Sequence, residues 1–105
     1  MIAWTETAGA ARPSSAAGLA DRVAEAAADC PDVLRLTAGP HGRIATYRAG
    51  LPLAGVAVRD RAIEVAVVVR YGRPCPRIAA DVRERIRPLA AGREVNVLIA
   101  DVDRR

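Results

Sequence analysis

The sequence predicts an α/β (α+β) protein with two helices packed on one face of a small mixed sheet of three to four strands, in the order α-β-β-(β)-β-α-β. Three observations carry this expectation. Residues 62–71 alternate apolar side chains with the two-residue period of a strand. Two segments, 15–29 and 76–89, repeat apolar residues at the 3.6-residue period of a helix. The second of these lies between that strand and another β-rich run at 94–102. Strand, helix and strand then form a right-handed crossover with parallel strands.

The elements follow in order. Residues 1–13 show no periodicity and read as a flexible N-terminal tail, with Trp4 expected to dock on the body; residues 14–103 read as a single domain. The first helix is expected over 15–29, with Ser14 or Ser15 accepting a hydrogen bond from a free N–H of the first turn. Leu19, Val23, Ala26, Ala27 and Cys30 form its apolar stripe, and Pro31 ends it. Cys30 on that stripe reads as a small core residue. Residues 33–37 read as a short strand and 43–48 as a second, joined as a hairpin through the Gly39-Pro40-His41-Gly42 turn. Residues 49–55 read as a loop, and 55–59 begin a further short strand.

The strand at 62–71 places Ile63, Val65, Val67, Val69 and Tyr71 on one face, with Ala62, Glu64, Ala66, Val68 and Arg70 on the other. One face is wholly apolar and the other half so, which suits a central strand. Pro76 fits the start of the second helix, whose stripe is Ile78, Val82, Ile86 and Leu89. Asp81 and Arg85 are expected to pair across one turn, and Pro88 to kink or end the helix. Ala91-Gly92 closes it, and Val95, Val97 and Ile99 face the core from the last strand.

Composition narrows the function. The 105 residues suit one domain with one core, 51% of them are apolar and 27% charged, and the class is globular. Apolar content is mostly Ala and Val with no Phe, so the core is built of small side chains and leaves little room for a large ligand pocket. The net charge is +4 and all 16 basic residues are Arg. Arg without Lys matches the codon usage of a GC-rich genome, and it also suits bidentate contacts to carboxylate or phosphate. The N-terminus lacks the pattern of a signal peptide, and the longest strongly apolar stretch, 62–69, falls far short of a bilayer span, so a cytoplasmic location with two reduced thiols is expected.

No chemistry-bearing constellation emerges. The single histidine, His41, stands in a turn without a nucleophile nearby in sequence, and Cys30 and Cys75 lie 45 positions apart with no metal-site spacing. The carboxylates form no evident pair, and no phosphate-binding glycine motif opens a helix. No enzyme activity, metal or cofactor is expected. Gly39-Pro40-His41-Gly42 matches the Gly-x-x-Gly loop of KH domains, but it lies between strands and reads as a hairpin turn.

Charge is the strongest remaining feature. The first helix carries Asp21, Glu25 and Asp29 in one stripe, and the second carries Arg77, Arg83, Arg85 and Arg87 against Asp81 and Glu84. Side by side, the two helices would pair with each other. Facing outward, they would be complementary surfaces for self-association or a charged partner. Arg77, Arg83, Arg87, Asp21, Glu25 and Asp29 are therefore the candidate partner-binding residues.

The C-terminal half carries a resemblance. Val67-Val68-Val69-Arg70-Tyr71-Gly72, the helix around Ile78, Asp81, Val82, Arg83 and Ile86, and the run Glu94-Val95-Asn96-Val97-Leu98-Ile99 together resemble the alkaline shock protein family of envelope stress response proteins. Gly42-Arg43-Ile44-Ala45-Thr46-Tyr47 and Leu53-Ala54-Gly55-Val56 look like its GC-rich Gram-positive members. The chain departs in having Pro74, Cys75 and Pro88 bracket the helix and no Lys at all. The resemblance implies a non-enzymatic cytoplasmic protein of the envelope stress response. Such a protein would act as a scaffold or assembly module, form homo-oligomers and be held at the inner face of the membrane by a small anchoring protein. The alternative is a small nucleic-acid-binding α/β module, motivated by the Arg excess.

Overall fold

A computed structural model describes residues 16–39, 44–46 and 53–104. The tail at 1–13 with Trp4, the Ser14 or Ser15 cap, and His41 with most of its turn lie outside the described residues. Along the chain run helix α1 (Ala16–Ala28), strands β1 (Val33–Leu36), β2 (Ala45–Thr46), β3 (Leu53–Ala54), β4 (Val56–Val58) and β5 (Ala62–Arg70), helix α2 (Cys75–Ile86), a 3-10 turn (Arg87–Leu89) and β6 (Glu94–Asp103).

β5 organises the sheet because its nine residues outspan both β1 and β4. Those two strands lie end to end along one edge of β5, both antiparallel to it, and β6 runs parallel along the other edge. Ala66 marks the joint. Its carbonyl accepts the N–H of Thr37 at 3.0 Å and its own N–H donates to the Gly55 carbonyl at 2.9 Å. The parallel crossover read from the sequence is present, and the sheet is mixed.

Both helices cover one face of this sheet. Leu19, Val23, Ala27 and Cys30 of the α1 segment meet Ile78, Val82 and Ile86 of α2 over Ile63, Val65, Val67 and Val69. Fully burying one such aliphatic side chain stabilises by about 1.5–3 kcal/mol, so this layer dominates the folding energy. On the other face of the sheet Ala57, Ala66 and Val68 are also buried. The half-apolar second face of β5 reflects that burial.

Pro88 acts as expected. The last α-helical turn closes at Ile86 and Pro88 sits inside the 3-10 turn, where its missing N–H removes no α-helical bond. Ala91 and Gly92, both with positive φ (54° and 84°), then reverse the chain into β6.

Four expectations are corrected. The strand at 33–37 does not form a hairpin with 43–48: β1 pairs with β5, and β2 pairs with β3, which lies inside the segment read as a loop. The apolar residues Val33 and Leu36 gain more by joining the core over β5 than by pairing with a short neighbour in sequence. Asp81 pairs with Arg73 and not with Arg85, because an exposed one-turn pair is worth only a few tenths of a kcal/mol. Tyr71 does not join the core face. It lies past the end of β5, 59% exposed, under the Arg104 guanidinium at 4.7 Å from the ring centroid. The second helix begins at Cys75, one residue ahead of Pro76.

Candidate functional site

The six candidate residues do not converge on one site. On α1, Glu25 and Asp29 are exposed and Asp21 is half-buried. On α2, Arg77 is exposed in the first turn, about 9 Å along the axis from Arg83. Arg83 is half-buried and donates from Nε to the Val95 carbonyl at 3.2 Å. Arg87 is exposed in the 3-10 turn and pairs with Glu84 at 2.9 Å. Among the described residues, no ion pair links α1 to α2 through Glu25, Asp29, Arg77 or Arg85. These four charges face solvent.

Arg83 and Arg87 do come together, with a third arginine that the sequence reading passed over. They line a groove with Arg93, Glu94, Val95 and Asn96, where α2 crosses the start of β6. Arg93 is held there by the reversal at Ala91 and Gly92. Its Nε donates to the Arg59 carbonyl at 2.9 Å and its terminal nitrogen to the Ala90 carbonyl at 3.4 Å. Arg93 also lines an adjoining groove with Arg22, Asp60, Arg61, Leu19 and Leu89. This end of the molecule therefore gathers arginines from α1, the β4–β5 turn, α2 and the entry to β6. No local motif announces the gathering, because its members are spread over 72 positions of the chain, from Arg22 to Arg93.

A second cluster closes the opposite end of β5. Arg73 bonds Asp32 and stands 3.8 Å from Asp81, and the Cys30 thiol donates to Asp81 Oδ2 at 3.6 Å. The hydrogen bond and then the charge of Asp32 hold the Arg73 guanidinium above its ordinary pKa, while desolvation opposes them. The ligand atoms of Cys30, Asp32 and Asp81 lie within 4.8 Å of one another. A metal ion there would compete with Arg73, which already pairs with both carboxylates. The cluster reads as a clasp between the end of α1, the entry to α2 and β1.

Among the described residues, β6 is a long edge strand paired on one side only, with β5. Two of its backbone groups are occupied by side chains: Arg83 takes the Val95 carbonyl, and Asp101 Oδ1 accepts the Val102 N–H at 2.8 Å. A register shift between Val67 and Val68 of β5 leaves Ala100 unpaired. Occupied backbone groups and a bulge both blunt an edge against strand addition. Leu98, 43% exposed, lies between these guards.

No helix among the described residues is long and apolar enough to cross a membrane. No protein-family model, curated protein or solved structure matches the chain. The fold and its surfaces define an α+β domain with opposed charged helices, and functional assignment rests on those surfaces.

Proposed function

We propose that this chain is a non-enzymatic assembly module of the alkaline shock protein type. It associates with further copies of itself and is recruited to the inner face of the membrane by a small anchoring partner. The observation that carries the reading is the pair of unneutralised helical surfaces: Glu25 and Asp29 on α1, Arg77 and Arg85 on α2, all exposed and without an ion pair among the described residues. The α1 surface of one copy complements the α2 surface of the next. A one-way contact of this kind builds rings or open filaments, and a reciprocal one closes a two-fold dimer. Individual exposed pairs contribute about 0–1 kcal/mol each, so association is weak alone and salt-sensitive. Anchoring at a membrane would raise the local concentration and make weak contacts productive.

Sedimentation velocity across protein concentration, at about 50 mM and about 500 mM salt, tests this. Mass that rises with concentration at low salt and falls at high salt is expected. Glu25→Arg with Asp29→Arg should be monomeric, as should Arg77→Glu with Arg85→Glu. A mixture of the two variants should associate again, since each then offers what the other lacks. A monomer under every condition would remove the self-assembly reading. The alternative, a nucleic-acid-binding module, is favoured by the arginine-lined grooves. Retention of single- or double-stranded oligonucleotides with a steep salt dependence would put it first.

A further inference from the structure

We infer that the groove between α2 and β6 is a binding site for one phosphate group, held by Arg83 and Arg93 with Asn96 beside them. This goes beyond the assembly reading, because it assigns a small ligand and does not need a second copy.

The argument starts from how the two guanidiniums are held. Arg83 uses Nε on the Val95 carbonyl, and Arg93 uses Nε on the Arg59 carbonyl and one terminal nitrogen on the Ala90 carbonyl. Neither makes an ion pair among the described residues, and neither has a further bond beyond these. Both terminal nitrogens of Arg83 and one of Arg93 thus keep their donors. Two long side chains ordinarily lose rotamer freedom when they close on a ligand; here that ordering is already present in the folded chain. Arg83, anchored through Nε with both terminal nitrogens unengaged, suits the bidentate geometry of phosphate oxygens, and Arg93 adds its remaining terminal nitrogen.

Charge sets the size of the ligand. Arg83 and Arg93 match a phosphate dianion. Arg87, the third arginine of the groove, is already paired with Glu84, and Glu94 also lines the groove. These two carboxylates interrupt the positive surface. A continuous nucleic-acid backbone would meet them, whereas a single phosphate between Arg83 and Arg93 need not.

The test is titration of the ¹⁵N-labelled full chain with inorganic phosphate at constant ionic strength. A nucleoside monophosphate and a soluble short-chain phosphatidic acid form parallel arms. Saturable shifts confined to Gly92, Val95, Asn96 and their neighbours are expected. Binding should weaken about tenfold or more in Arg83→Gln with Arg93→Gln. Arg83→Lys, which keeps the charge and loses the fork, should lose most of the same binding. Arg35→Gln with Arg70→Gln removes the same charge from the other end of β5 and should leave binding unchanged. A preserved amide spectrum in each variant separates lost binding from lost folding. Tighter binding of one organic phosphate names the source of the group, and equal binding of all three assigns the free anion. Shifts spread over all exposed arginines, an equal loss in the Arg35 and Arg70 variant, or tight binding of an oligonucleotide with no localised phosphate response would overturn the site.

Discussion

A Cβ placed on Gly55 would stand 2.5 Å from the Cβ of Leu36, closer than two non-bonded carbons come. The contact lies where β1 ends and β4 begins against β5, and Gly55 has a φ of +95°. Two independent demands therefore fall on one residue: a left-handed backbone and no side chain. Gly92 has only the first demand, with φ +84° and nothing within 4 Å of a built Cβ. Gly92→Ala should destabilise by about 1 kcal/mol, and Gly55→Ala by about 3 kcal/mol or more, since it adds a clash to the backbone strain. Urea unfolding measures both, and equal losses would show that β1 can move away from β4.

Core and surface should separate sharply. Ile63 of β5 is fully buried under the helices, whereas Leu98 is 43% exposed on β6. Ile63→Ala should lose about 2–5 kcal/mol. Leu98→Ala should stay within about 0.5 kcal/mol. Thermal unfolding would read the first as a fall of about 4–8 °C per kcal/mol.

The two thiols should differ in reactivity. Cys30 is 1% exposed under α1, and Cys75 is half-buried at the start of α2. Alkylation followed by intact mass should show one fast modification, mapped to Cys75. Modification of Cys30 should follow the opening of the fold and speed up with denaturant. Equal rates at both would mean that the end of α1 opens locally.

The Arg73 clasp should be worth little energy. Its guanidinium is 46% exposed, so solvent screens the pair with Asp32. A double-mutant cycle of Asp32→Ala and Arg73→Ala should give a small coupling, reduced further by salt. The pKa of Arg73 is raised, so its contribution is present at every pH below its ordinary, strongly basic value and is lost only as pH rises through the folded value. Stability between pH 6 and 9 should therefore show no step from this group. A large coupling that salt does not reduce would mean that the clasp organises the entry to α2.

The edge of β6 yields one more expectation. Arg83→Ala leaves the Val95 carbonyl without its side-chain donor. Folding stability should fall by about 1 kcal/mol. Aggregation on mild heating, followed by light scattering, should begin earlier, because an uncovered edge accepts another strand. An unchanged onset would show that the bulge at Ala100 guards the edge alone.

What the sequence by itself determined was local. Alternation from Ile63 to Val69 and the stripes through Leu19, Val23, Ile78, Val82 and Ile86 report which side of each element is apolar, and that pattern requires two helices on one sheet face. Pro31 and Pro88 punctuate the helices through their own ring geometry, and the core role of Cys30 follows from its place on the α1 stripe. Beyond the parallel crossover from β5 to β6, only the tertiary structure decided which strands meet. Val33 and Leu36 carry no mark that they pair with Val69 and Val67 rather than with the next strand, because strand partners are chosen by the total apolar surface buried. The charged surfaces divide in the same way. The acidic stripe on α1 is a helical period and was legible. The meeting of Arg83 with Arg93, and of Arg73 with Asp32 and Asp81, depends on a chain reversal and a strand crossing that bring distant residues together. A single side chain's charge is written in the sequence; its neighbours are set by how the whole chain closes on its core.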